Sequence, residues 1–177
     1  MCIRDSNRGT LDRLRLVAGG PGESVTQPRW SPDGRIHYIS DRSGWWNLYD
    51  QDGRSLAPMD AEFSGPDWVF GQSTFTFLED GRLVATWSAR GGGRLGVVAD
   101  GHVHPLELEL TSFASLVGVG SRVYAIAASP AQAAAVVAID IDRQRVEVLR
   151  YSRAIPVSPE ALSAPEPIEF PTANGLK

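Results

Sequence analysis

Asp80-Gly81-Arg82-Leu83-Val84-Ala85-Thr86-Trp87-Ser88 is the stretch that decides the fold. A tight-turn pair opens it, an arginine and a β-rich run follow, and a serine closes it. The same plan stands upstream as Asp33-Gly34-Arg35-Ile36-His37-Tyr38-Ile39-Ser40. It stands downstream as Gly120-Ser121-Arg122-Val123-Tyr124-Ala125-Ile126-Ala127-Ala128-Ser129. Arg35 and Arg82 lie 47 residues apart, and Arg82 and Arg122 lie 40 apart. A small-residue loop follows each serine, at 41–44, 89–93 and 130–133. A further strand is expected after each loop, at 46–49, 94–99 and 134–141. A second turn then falls at Asp52-Gly53, Asp100-Gly101 and Asp142-Arg143, and closing strands are expected at 54–58, 102–108 and 145–151.

Asp-Gly between two β-rich runs marks a hairpin, because glycine accepts the positive φ of a type I′ turn. Two hairpins per unit make a four-stranded antiparallel meander. Four strands in a period of roughly 40–45 residues is the pattern of a propeller blade. Runs 83–87 and 123–128 are nearly continuous in apolar residues, which predicts sheets buried on both faces, as stacked blades would be. The expected fold is therefore all-β, a partial β-propeller of about three four-stranded antiparallel blades. A β-sandwich also has short, regularly spaced strands, but it leaves the internal repeat unexplained. Segment 131–139 is alanine-rich enough for a helix, yet it falls where the other two units place a strand.

Composition agrees with turns at short intervals. The chain has 177 residues, enough for one domain with a sizeable core and too few for two full-sized ones. Its 18 Gly and 12 Pro argue against a helix bundle. With 42% hydrophobic and 21% charged residues the composition is globular. The net charge is −4, and the 17 basic residues, all arginine except Lys177, are scattered singly. Neither nucleic acid nor a membrane surface is expected as a partner. The single Cys2 excludes an internal disulfide and a cysteine-cluster metal site and leaves the redox compartment open. The chain is read as cytoplasmic. No apolar run approaches the roughly 20 residues of a membrane span.

The two ends fit the repeat poorly. Met1-Cys2-Ile3-Arg4-Asp5-Ser6 matches nothing that follows and reads as a translated scar. Residues 1–13 are taken as that scar plus the remnant of a preceding blade, and 14–152 as the blades. Residues 153–177 form a proline-rich linker, with Pro156, Pro159, Pro165, Pro167 and Pro171 favouring a stiff, extended chain. A connector of that kind suggests a truncated parent protein.

Gln27-Pro28-Arg29-Trp30-Ser31-Pro32-Asp33-Gly34, with Ser40-Asp41-Arg42-Ser43-Gly44-Trp45-Trp46-Asn47-Leu48-Tyr49, resembles a TolB/WD-like propeller repeat. Pro66-Asp67-Trp68-Val69-Phe70-Gly71-Gln72-Ser73-Thr74-Phe75 resembles the following blade in prolyl oligopeptidase-family serine peptidases of the dipeptidyl aminopeptidase/acylaminoacyl-peptidase type. Ala164-Pro165-Glu166-Pro167-Ile168-Glu169-Phe170-Pro171-Thr172, with Asn174-Gly175, resembles their passage from propeller to α/β-hydrolase domain. The resemblance covers 14–177. It implies the last blades of an N-terminal propeller plus the linker, with the hydrolase domain of the same parent chain as partner. It also implies a peptide substrate and no cofactor. The family's propeller restricts access to the hydrolase domain. Its Ser, Asp and His all lie in that second domain, so none maps onto this chain, which is expected to be inactive alone. A non-enzymatic TolB-like propeller that binds a protein partner is the alternative.

The residues themselves agree that chemistry is missing. The nucleophile elbow G-x-S-x-G is absent, because Gly22-Glu23-Ser24 and Gly71-Gln72-Ser73 lack the second glycine. The three histidines are His37, His102 and His104. His102 and His104, two apart on a strand, share a face, but a metal site needs a third ligand and none is evident. Asp50-Gln51-Asp52-Gly53 lacks the later glycine and glutamate of a calcium loop and reads as a hairpin turn. Gly91-Gly92-Gly93 has no following Lys-Ser/Thr and reads as a flexible loop, not a phosphate cradle. For Trp45 and Trp46 the expectation is that one packs between blades and the other covers a loop, in preference to a stacking platform. Asp41-Arg42 is expected to form a loop ion pair rather than meet a peptide terminus. No catalytic, metal or cofactor residue is assigned.

Overall fold

The computed structural model describes residues 2–7, 10–89, 91–154, 158, 161–163, 165, 166, 168, 170 and 171. For 2–7 and 10–14 it describes the backbone alone. Among these residues there is no α-helix, and every strand pairs antiparallel with its neighbour in sequence. Strands β1 (Cys2–Asn7) and β2 (Thr10–Leu16) form a hairpin, so the opening segment from Cys2 onward lies in a paired strand although its sequence follows no repeat. A three-stranded sheet follows, of β3 (Val25–Trp30), β4 (Ile36–Ser40) and β5 (Asn47–Asp50). The second sheet has β6 (Phe75–Phe77), β7 (Leu83–Ala89), β8 (Gly92–Ala99) and β9 (His102–Pro105). The third has β10 (Ser112–Val119), β11 (Arg122–Ser129), β12 (Gln132–Asp140) and β13 (Arg145–Tyr151). Arg35 and Arg82 directly precede β4 and β7, and Arg122 begins β11. All three open the second strand of a sheet, as the repeat requires. The alanine-rich segment is strand β12.

The closing strand expected at 54–58 is reduced to one bridge, Tyr49 with Ser55, and two backbone bonds, from Asp50 N–H to Arg54 and from Leu56 N–H to Leu48. Pro58 has no N–H to continue the ladder. The Asn47 side chain takes over, donating to the Met59 carbonyl and accepting from the Met59 N–H at 2.9 Å each.

The hairpin turns depart from the expected type. Only Asp100-Gly101 has both residues at positive φ, 52° and 79°, as type I′ demands. In the other three only the glycine does: Gly34, Gly53 and Gly81 at 78°, 77° and 89°. Their hydrogen bonds are identical. Gly34 donates to Ser31 and Ser31 to Arg35; Gly53 to Asp50 and Asp50 to Arg54; Gly81 to Leu78 and Leu78 to Arg82, all between 2.9 and 3.0 Å. This is the three-residue hairpin loop, a type I turn ending in a left-handed glycine. Residues 92 and 93, expected in a loop, lie within β8 and pair with Ala89 and Ser88.

The sheets stack through two apolar layers. Ile39, Leu48, Phe63, Phe75, Leu83, Ala85 and Trp87 fill the space between the first and second sheets. Val84, Leu95, Leu116, Val123, Ala125, Val137 and Ile139 fill the space between the second and third. Strand β7 feeds both layers with adjacent residues, and its first five residues are all buried. That explains its unbroken apolar run. Strand β11 behaves otherwise. Val123, Ala125 and Ala127 are buried, whereas Ile126 is exposed. Both faces are buried at β7 and one face at β11, because among the described residues nothing covers the far face of the third sheet, the open side that an arc of three blades leaves.

The meander assigns every connection to one of two rims. Turns between second and third strands, and the passages from one sheet to the next, share an upper rim. Turns between first and second and between third and fourth strands share a lower rim. Hydrogen bonds across sheets respect this order: Gly93 donates to Thr111 above and Glu79 to Gly120 below. Of the proline-rich segment, 155–157, 159, 160, 164, 167, 169 and 172–177 lie outside the described residues.

Candidate functional site

Among the described residues the histidines form no catalytic constellation. His37 on β4 is 9% exposed, its Nδ1 3.3 Å from the Arg35 carbonyl and its ring edge-on to Phe77 with centroids 4.9 Å apart. It lines a lower-rim cleft of about 670 Å³ together with Ser31, Asp33 and Asp50. The Ser31 hydroxyl bonds to Asp33 and to the Arg35 backbone at 2.9–3.1 Å, so it is engaged in its own turn. A nucleophile–base bond, the first element of a triad, is absent from this cleft. His102 and His104 are exposed on β9, and His102 Nδ1 sits 2.9 Å from the Asp100 carbonyl. Among the described residues no group of three His, Cys, Asp or Glu side chains is placed to hold a metal ion.

Burial pushes the His37 imidazole below its ordinary value, against the pull of Asp50 and Asp33. The unfolded chain therefore binds the proton more readily than the folded one. Stability is complete above the ordinary histidine range of about 6.5 and declines as pH falls through it. Urea midpoints between pH 8 and 5.5 are expected to fall in the native protein. In His37→Gln that histidine component is expected to be absent. An unchanged pH slope in the variant would refute the assignment.

The acidic turn Asp50-Gln51-Asp52-Gly53 is occupied by its own backbone. Asp50 Oδ1 accepts from Asp52 N–H and Arg54 N–H at 2.9 and 3.0 Å, and Asp52 pairs with Arg35 at 2.9 Å. Arg42 does form an ion pair, but its partner is Glu23 rather than Asp41. The guanidinium lies 2.6 Å from Glu23, donates to Tyr38 Oη at 3.0 Å and stacks 4.7 Å above the Tyr49 ring. Asp41 instead accepts from the Ser24 N–H at 2.8 Å. Burial works against the Glu23 carboxylate, yet bonds from Ser40 and Arg42 outweigh it and hold its pKa below the usual range. Trp46 packs into the layer between the first two sheets, and Trp45 lies partly exposed in the upper-rim loop.

One surface feature carried no assignment in the sequence. The passage from the first sheet to the second crosses the upper rim, and at its tip Trp68, Val69 and Phe70 are 88%, 68% and 102% exposed. The loop is braced underneath. Thr26 Oγ1 on β3 donates to Asp67, and Gln27 Nε2 donates to Ser64 Oγ at 2.8 Å. The Gln27 carbonyl accepts from Thr74 N–H at 2.8 Å, so one β3 side chain grips both ends of the passage. Three consecutive large apolar residues between Pro66 and Gly71 were the available signal: turn formers on both sides mark a loop, and apolar loop tips are unusual.

Successive antiparallel meanders, stacked face to face with their first strands adjacent, define a portion of a β-propeller. No family profile matches the chain, and no curated protein matches it. Solved structures do. A puromycin-hydrolyzing peptidase of Mycobacterium tuberculosis superposes with a TM-score of 0.83 at 33% identity over 92% of this chain and 26% of its own. A puromycin hydrolase does so with 0.83 at 30% over 97% and 27%. A prolyl endopeptidase at 15% identity has a TM-score of 0.57 over 90% and 24%, which shows shared fold alone. The chain matches the propeller part of prolyl oligopeptidase-family peptidases. It spans about a quarter of the length of those structures.

Proposed function

We propose that this chain is the gating portion of a cytoplasmic serine peptidase, blades that restrict which peptides reach an α/β-hydrolase domain carried by the same parent. The observation that carries this reading is the likeness to the puromycin-hydrolyzing peptidase over 92% of the chain. In the parent the reaction is acyl transfer to a serine, with histidine as base and backbone N–H groups stabilising the oxyanion.

The test compares the purified chain with its full-length parent on an aminoacyl-anilide, a short peptide and a folded protein. The parent is expected to cleave the first two and spare the third, and the chain alone to cleave none. Turnover by the chain that a serine-directed inhibitor abolishes, or a parent inert towards all three, would overturn the reading.

A further inference from the structure

We infer that the Trp68-Val69-Phe70 loop is the surface through which the blades dock on the parent's hydrolase domain. This rests on the function proposed above. The loop presents three neighbouring apolar side chains almost wholly to water, and large aromatic residues in that state mark contact sites. It is held in place and not merely extended: Thr26 holds Asp67, Gln27 holds Ser64 and Thr74, and the Trp68 N–H bonds to the Pro66 carbonyl at 3.0 Å. A surface ordered before contact loses less entropy on docking.

Topology selects the occupant. In an antiparallel meander the fourth strand of each sheet ends on the upper rim, where the passage to the next sheet begins. Strand β13 is the fourth strand of the third sheet, so the chain leaves it at Tyr151 on the rim that carries the apolar loop. A domain following 153–177 is thus delivered to that side. The matched peptidases are about three and a half times as long as this chain, leaving ample chain for such a domain. No charged residue lies between Trp68 and Gln72, and the exposed Asp67 carboxylate beside the tip is turned to the Thr26 hydroxyl. The facing surface is accordingly apolar.

Hydroxyl-radical footprinting of the full-length parent tests this. Trp68 and Phe70 are expected to label about tenfold more slowly in the native parent than in the same protein in urea, as side chains in a dry interface core would. Protection is expected to be the same at low and high protein concentration. Labelling within about twofold of the unfolded rate, or protection that appears only at high concentration and so reports a second copy, would overturn the proposal. A Trp68→Ser/Phe70→Ser parent is expected to be cleaved faster by added protease within 153–177, while each domain keeps its melting temperature. Aminoacyl-anilide turnover separates the two readings. Lost protection with turnover intact refutes the docking surface alone, and protection without turnover refutes the peptidase reading.

Discussion

Replacing Gly118 with alanine is expected to destabilise the protein by about 2–4 kcal/mol. Gly118 lies on β10 where it crosses β6, the first strands of neighbouring sheets. A Cβ at this position would overlap the Phe77 carbonyl oxygen, 3.0 Å from its carbon and 3.2 Å from Thr76 Oγ1. The obstruction is backbone, which no rotamer change relieves, so the two sheets must separate. Overpacking of this kind typically costs about 1–3 kcal/mol. The bond from Gly118 N–H to Thr76 Oγ1, 2.9 Å long, is strained by the same shift, for roughly another 1 kcal/mol. Against a total margin of about 5–15 kcal/mol that is a large fraction. Valine at the same place is expected to abolish soluble folding. Gly65 provides the control, because a Cβ there meets nothing within 4 Å. Urea denaturation showing Gly118→Ala within about 0.5 kcal/mol of the native protein, like Gly65→Ala, would refute the close approach.

How far the sequence disclosed this arrangement depends on how local each feature is. The Asp-Gly-Arg triplets located three hairpins because a turn is decided by a few adjacent residues. The turn type was misjudged because Gly34, Gly53 and Gly81 are the last residues of three-residue loops, a matter of where strand pairing resumes. Strand β7 was read as doubly buried and is, since it lies between two sheets. Strand β11 has the same apolar run, but burial depends on a neighbour and not on the run. The partner of Arg42 was invisible for a similar reason: Glu23 precedes the first sheet, and only the fold brings it to the guanidinium. Of the candidate surface, the residues 66–75 were legible as a resemblance, while the exposure of Trp68-Val69-Phe70 was not. Three apolar residues in succession look the same in a core and at a loop tip.

The purified 177-residue chain is expected to self-associate through the far face of its third sheet. Val117 and Val119 on β10, Ile126 on β11 and Val136 on β12 are each about half exposed. Register places Ile126 opposite Val136 and Tyr124 opposite Val117, so these side chains adjoin in an apolar strip, bordered by Arg122 opposite Val119 and Arg150 opposite Val136. Burying such partly exposed side chains yields about 1 kcal/mol apiece. Two copies contribute eight of them, against an association cost of about 4–15 kcal/mol, so the complex is weak and concentration-dependent. The sheet's edge is a poorer route. Strand β13 presents Arg145, Glu147 and Arg150, and charges along an edge discourage strand pairing. Sedimentation is therefore expected to show dimers or larger species forming over the micromolar range. In an Ile126→Lys/Val136→Lys variant the chain is expected to remain monomeric, with like charges facing each other across the former contact. Removing the charges of β13 in the native background is expected to increase association and broaden the size distribution. A native chain that sediments as a monomer up to millimolar concentration, with a sharp two-state melt, would show that the exposed face needs no cover.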